Sequence, residues 1–206
     1  MQFPDSRILL FAKAPEPGQV KTRLIPAIGP QQAAHLYAEL LKGVLERLSG
    51  LAPLQLWCAP DTRHPLFRRA AEASSTTLHQ QSQGDLGERM ADAARHALKE
   101  ARSVLLIGGD CPVLERAHLE QALSWLDEGA DAALGPAEDG GYVLLGFRHY
   151  AATLFEHIPW GTDLVCRLTR QRLSSLDWSW RELDPLWDVD RVEDLLRYQE
   201  FGRKPS

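Results

Sequence analysis

"RILLFAKAPEPGQVKTRL", residues Arg7 to Leu24, decides how the rest of the chain is read. After Arg7 its opening is a short continuous apolar run, Ile8 to Ala12, of the kind that fills the middle of a sheet covered on both faces. Pro15, Pro17 and Gly18 then forbid an immediate helix. The strand therefore opens into a stiff loop that carries Lys13, Lys21 and Arg23. Cations on a loop with little freedom suit an anion, and phosphate above all. The plainer alternative is a solvated surface loop. A Walker-type loop is excluded, because "GQVKT" lacks the earlier glycine and has Val20 before Lys21.

Outward from that stretch, short apolar runs alternate with helical periodicity. Strands are predicted over Arg7–Ala12, Leu54–Ala59, Thr76–His79, Ser103–Gly108, Asp131–Leu134, Gly141–Phe147 and near Trp178–Leu183. Helices are predicted over Gln31–Leu48, Pro65–Ala73, Leu86–Ala101, Glu115–Leu126, Thr162–Leu176 and Val192–Phe201. Repeated βα units with apolar strands predict an α/β fold with a mostly parallel central sheet covered on both faces. In such folds ligands bind beyond the carboxyl ends of the strands, so the residues that follow each strand matter most.

No linker-like or low-complexity stretch divides the 206 residues, and one domain spanning 1–206 is expected. The net charge of −5 argues against broad binding to nucleic acid or to anionic membranes, so any basic function must be local. Cys58, Cys111 and Cys166 are scattered, form no CxxC pair and indicate neither a zinc site nor a disulfide framework. Their use fits a reducing cytoplasm. No leader-like opening and no long apolar run is present, so neither a signal peptide nor a membrane span is expected.

Five further stretches could carry chemistry. "LLIGGDCPVL" ends a buried strand in two glycines and Asp110, a hard oxygen ligand suited to Mg²⁺ or Mn²⁺, or else a turn or cap residue. Cys111 beside it reads as a small buried filler. In "LWDVDRVEDLL", Asp188 and Asp190 alternate and would share a side of an extended segment, completing a metal site with Asp110. Asp190 followed by Glu193 equally resembles a capping box for the last helix. "GPAEDGGYVLLGF" presents Glu138 and Asp139 at a glycine-rich turn between two strands. "QGDLGERM" sets Gly84 and Asp85 at a helix start, an ordinary cap or a ligand contact. "IPWGTDLV" places Trp160, Gly161 and Thr162 before a helix, as a core tryptophan with a capping threonine or as part of a site.

Taken in order, these stretches resemble a bacterial family often labelled an arsenosugar-biosynthesis or radical-SAM-associated glycosyltransferase, itself similar to the GT-A, or nucleotide-diphospho-sugar transferase, superfamily. The first loop also resembles guanylyltransferases that act on phospholactate or phosphoenolpyruvate. The resemblance implies a single-domain GT-A three-layer sandwich and a transferase using a nucleotide-activated donor. It further implies nucleotide contacts at Lys13, Pro15, Gly18, Lys21, Arg23, Gly84, Gly87 and Asp110, and catalytic roles for Lys21, Arg23 and Asp139. Mg²⁺ or Mn²⁺ would sit on Asp110 with Asp188 or Asp190 as partner. The partners implied are a nucleotide or nucleotide-sugar donor and a small-molecule acceptor. Two reactions stay open: glycosyl transfer, which releases a nucleoside diphosphate, and nucleotidyl transfer, which releases pyrophosphate. A non-catalytic nucleotide-binding protein is the alternative outside enzymology. This chain departs from the superfamily it resembles in having Arg191-Val192 where members of that superfamily often open the last helix with Thr-Pro, and in carrying one aspartate, not a DxD, at "GGDCP".

Overall fold

The computed structural model describes residues 1–73 and 76–201. Seven strands, β1 (Ser6–Lys13), β2 (Leu54–Ala59), β3 (Thr77–Gln80), β4 (Ser103–Gly108), β5 (Ala132–Pro136), β6 (Tyr142–Phe147) and β7 (Trp180–Glu182), form one sheet in the order β3-β2-β1-β4-β6-β5-β7. The β1–β2, β1–β4, β2–β3 and β5–β7 pairs are parallel, while β6 runs antiparallel to both β4 and β5. The expected mostly parallel α/β sheet is therefore what the chain builds.

Among the described residues six helices cover it: α1 (Ile25–Leu48), α2 (Pro65–Ala73), α3 (Leu86–Ala97), α4 (Arg116–Asp127), α5 (Val165–Ser175) and α6 (Val192–Phe201). The two-residue period of β1 sends Ile8, Leu10 and Ala12 to one face, where Leu41, Phe67 and Leu119 of α1, α2 and α4 pack. Leu9 and Phe11 face the other side, against Met90 and Ala94 of α3 and Cys166 and Leu173 of α5. Helices on both faces make the expected three layers. The last helix, α6, sits at the rim: Leu195 joins Leu24, Leu40, Trp187 and Val189 in a separate apolar cluster. Among the described residues no helix is long and apolar enough to cross a membrane.

Most predicted boundaries hold to within two residues, and three differ by more for local reasons. A helical turn from Ile25 precedes the predicted start of α1, and Gly29, at φ 77°, breaks it from the main helix that begins beyond Pro30. The α3 helix stops at Ala97, not Ala101, because Lys99 and Glu100 donate to carbonyls three residues back and tighten the end. Thr162 was expected to open α5, which instead starts at Val165. The Thr162 hydroxyl donates to the Pro159 carbonyl at 2.8 Å and builds a turn of its own before the helix.

Candidate functional site

The strand order reverses at β1, which has β2 on one side and β4 on the other, so a crevice opens where their carboxyl ends part. The ends of β1 (Phe11 to Lys13) and of β4 (Gly108 to Asp110) form its floor, and the Gln19–Arg23 loop forms one wall, around a cavity of about 490 Å³. The three predicted cations, Lys13, Lys21 and Arg23, meet there with Asp110 and Asp190. Pro15 and Gly18 do not line it. They shape the loop, in which the Glu16 amide donates to Ala14 and the Gln19 amide to Glu16, and Gly18 takes φ 84°.

Lys21 is the best-defined member. Its backbone is left-handed at φ 48°, and the following residues, Thr22–Leu24, form a single 3₁₀ turn that swings Arg23 across the crevice. A lysine in this conformation is uncommon enough to point to a constraint on its side chain. That constraint is Asp110: Nζ donates to Oδ2 at 2.8 Å, with the Lys21 side chain only 6% exposed. Burial opposes the Lys21 charge, but the Asp110 carboxylate overcomes it and holds the ammonium above its ordinary pKa. Arg23, more than half exposed, donates to Asp190 on the facing wall.

Beyond Arg23 the crevice continues into an acidic hollow of about 570 Å³ that includes Glu138, Asp139, Asp188 and Asp190. The segment bearing Asp188 and Asp190 is tied down on both sides. The Val189 amide donates to the Asp110 carbonyl, Cys111 Sγ to the Trp187 carbonyl, and Arg197 of α6 forks onto Glu138 at 2.7 and 3.1 Å. Burial, and then the nearby Asp110 charge, push the Asp188 carboxyl up to about 7, with partial relief from Lys21. Asp139 is held by its own turn, Oδ1 accepting from the Gly141 amide at 2.8 Å. The structure places Cys111 as the sequence reads it: it is buried, and burial pushes its thiol up to about 12.

The Asp190 capping box does not form. Asp190 faces Arg23, and the first amides of the α6 turn, Asp190 and Arg191, donate to Asp194 Oδ2 at 3.1 and 2.7 Å. The reaching carboxylate is Asp194, one residue beyond Glu193. In "QGDLGERM" the capping box is real: Asp85 accepts from the Glu88 amide and Glu88 from the Asp85 amide. Gly84 and Gly87 do not line the crevice. A Cβ on Gly87 would stand 2.4 Å from Trp160 Nε1, so this glycine admits the indole. Trp160 walls a third, largely apolar hollow of about 240 Å³, with Leu86, Met90, Val143, Val165 and, at its rim, Asp139.

Sequence reasoning missed Gln81, Leu86 and Arg89, which stand with Phe11 on the crevice wall. Leu86 and Arg89 had a signal in "QGDLGERM", where they are three apart and share a helix face, while Gln81 lies before that stretch and had none.

Residues 45–162 match the family described as an uncharacterized protein conserved in bacteria, DUF2064. The chain belongs to this family. It is 35% identical to a protein of Desulfovibrio desulfuricans G20 provisionally named a nucleotide-diphospho-sugar transferase, with a TM-score of 0.89 over 99% of this chain and 90% of that one. At lower identity it shares its fold with a cytidylyltransferase of Leptospira borgpetersenii (17% identical, TM-score 0.63, 98% of this chain and 89% of that one). It also shares it with Rv0371C of Mycobacterium tuberculosis, solved with manganese (16% identical, TM-score 0.53, 96% and 99% covered). No curated protein matches the chain in sequence. The fold is thus that of the nucleotide-diphospho-sugar and nucleotidyl transferases.

Proposed function

We propose that this chain is a metal-dependent transferase that moves a sugar from a nucleoside-diphosphate sugar to a small acceptor. One observation carries the reading: at the reversal of strand order, Lys13, Lys21 and Arg23 gather in one crevice with Asp110 and Asp190. A diphosphate would take Lys21 and Arg23 over from these carboxylates and leave the carboxylates to a metal ion. The likeness to the Desulfovibrio protein supports sugar transfer. An arsenosugar or radical-SAM setting rests on the motif resemblance alone.

The donor set fits a hard cation, being all carboxylate oxygen. Among the described residues no group of three His, Cys, Asp or Glu side chains is arranged to hold an ion. Asp110 and Asp190 are instead engaged by Lys21 and Arg23. A site of one or two carboxylates completed by water and phosphate oxygens is the usual habit of Mg²⁺. Asp188, with Asp110 or Asp190, would hold such an ion. Bound there, Mg²⁺ or Mn²⁺ would neutralise diphosphate charge.

Lys13 and Lys21 would bind the phosphates, with Pro15 and Gly18 setting the loop's shape and Gly84 and Gly87 shaping the helix start beside the nucleotide. As the bond from the sugar's anomeric carbon to the β-phosphate oxygen breaks, Lys21 and Arg23 stabilise the charge on the leaving diphosphate. Asp139, at the rim shared by the acidic and apolar hollows, accepts the acceptor's proton. The acceptor occupies the apolar hollow.

Nucleotidyl transfer is the second reading, supported by the cation-rich loop and by the cytidylyltransferase fold. The three free cysteines, all buried, fit the cytoplasm, and the acidic chain fits neither nucleic acid nor a membrane as partner. Incubation with Mn²⁺, a panel of nucleoside-diphosphate sugars and nucleoside triphosphates, and mixed small acceptors separates the readings. Release of nucleoside diphosphate from a sugar nucleotide is expected. Pyrophosphate release from a triphosphate alone establishes the second reading, and nucleotide binding without any turnover establishes a binding protein.

A further inference from the structure

The apolar hollow beside Trp160 lies between the other two cavities. It shares Phe11, Leu86 and Gly108 with the cation-bearing crevice, and Asp139, Gly161 and Thr162 with the acidic hollow. A molecule seated there can meet a diphosphate on one side and carboxylates on the other. The cations themselves stay outside: Lys13, Lys21, Arg23 and Arg89 line the crevice and not the hollow.

Among the described residues the hollow's lining holds no lysine, arginine or histidine, and Asp139 is its one carboxylate. What else it presents is almost all carbon. Tyr142 and Trp160 form a corner, with ring centroids 6.4 Å apart and planes at 88°, and their polar ends are hidden, since Tyr142 Oη and Trp160 Nε1 are both buried. The Thr162 hydroxyl is spent on the Pro159 carbonyl. The rim favours an anion no better: the acidic hollow beyond Asp139 has six carboxyl side chains against two arginines, Arg23 and Arg191. An anion placed here loses its water and finds no cation in return, a cost that a neutral molecule escapes. Asp139 adds like-charge repulsion. The hollow's volume of about 240 Å³ is below the range of about 300–1,000 Å³ for pockets that hold drug-sized ligands, so one ring or a short branched chain fills it.

We propose that the acceptor is an uncharged alcohol with a small apolar body, and that phosphorylated and carboxylate acceptors are rejected. This rests on the sugar-transfer reading above. The alcohol oxygen bonds to the anomeric carbon as that carbon's bond to the β-phosphate oxygen breaks. The bonding pair leaves with the diphosphate, and the hydroxyl proton goes to the Asp139 carboxylate.

NMR titration with benzyl alcohol, benzoate and benzyl phosphate tests this, because the three share a ring and differ in charge. Val165→Phe and, from α3, Met90→Trp fill the hollow, so binding that either variant removes is binding there. Melting of each ligand-free variant shows that it is folded. In the wild type benzyl alcohol should bind the hollow at least tenfold tighter than either anion, and both filling variants should lose it. Asp139→Asn should narrow the gap, since the one carboxylate of the lining is gone. Either anion bound in the hollow within tenfold of the alcohol overturns the inference. So does benzyl alcohol that fails to bind, or that binds both folded filling variants as it binds the wild type. The sugar-transfer reading is judged apart, by release of nucleoside diphosphate from sugar nucleotides, and its failure leaves these affinities as they are.

Discussion

Lys21 Nζ lies 2.8 Å from Asp110 Oδ2, although 89 residues separate them in the chain. The pair joins the first loop to the end of β4, and its burial is lopsided: 6% of the Lys21 side chain is exposed against 33% for Asp110. Deleting one partner of a buried pair strands the other, so the cost depends on which is removed.

Asp110→Asn should therefore destabilise the protein more than Lys21→Met. Stranding the buried ammonium should cost about 3 kcal/mol. Removing the lysine leaves a carboxylate that still reaches water, and the cost should be under about half of that. Chemical denaturation of both variants at neutral pH decides it, and equal losses would show that the pair is solvated.

Arg23 is the opposite case. Its side chain is 59% exposed, and its bond to Asp190 is a surface ion pair. Arg23→Ala should change stability by no more than about 0.5 kcal/mol. Its loss from phosphate binding should be far larger, about ten- to a hundredfold in nucleotide affinity. Arg23→Lys should recover only part, since an ammonium lacks the bidentate fork. Titration of the best nucleotide against the three proteins checks this, and unchanged affinity in Arg23→Ala removes the residue from the site.

The same contrast explains what was legible in the sequence. Leu54–Ala59 and Ser103–Gly108 run between the bounds predicted for them, because apolar runs, broken only by Gln55 and closed by Pro, Gly or Ser, leave little choice. Lys21, Arg23, Asp110 and Asp190 were found because each follows a strand or opens a turn. Their pairing was not legible, since it depends on where β1 and β4 end in space. Arg89 and Gln81 escaped for a similar reason: the glutamine bonds backbone atoms of β1 and β2, 69 and 24 residues away. Asp190 was misjudged as an alternative cap because Glu193 and Asp194 stand next to each other and only the structure shows which one turns back.

That cap gives a clean comparison. Asp194→Ala should loosen the start of α6 and cost about 1 kcal/mol, whereas Glu193→Ala should be near neutral. Thermal melts of the two variants side by side check it. A larger loss for Glu193→Ala would restore the capping box read from the sequence.

Asp188 ties the site to pH. Its carboxyl titrates near 7 in the fold against an ordinary value of 3.8, raised by burial and then by Asp110. A folded pKa above the unfolded one means that the neutral carboxyl favours the fold. That contribution is complete below about pH 4 and is lost as pH rises to about 7, with a slope of at most about 1.4 kcal/mol per pH unit. Asp188→Asn cannot ionise and should escape the loss. In metal-free protein the variant's stability advantage should widen from pH 4 to pH 7 and stay level above about pH 8. Added Mg²⁺ or Mn²⁺ should narrow the gap at pH 8 by stabilising the ionised wild type, and should do little at pH 5, where a proton holds the same carboxyl. Melting curves of both proteins at pH 4, 5, 6, 7 and 8, with and without the ion, measure each part. A gap that does not vary with pH would mean that Asp188 is already ionised throughout, and a gap insensitive to the ion would remove Asp188 from the proposed metal site.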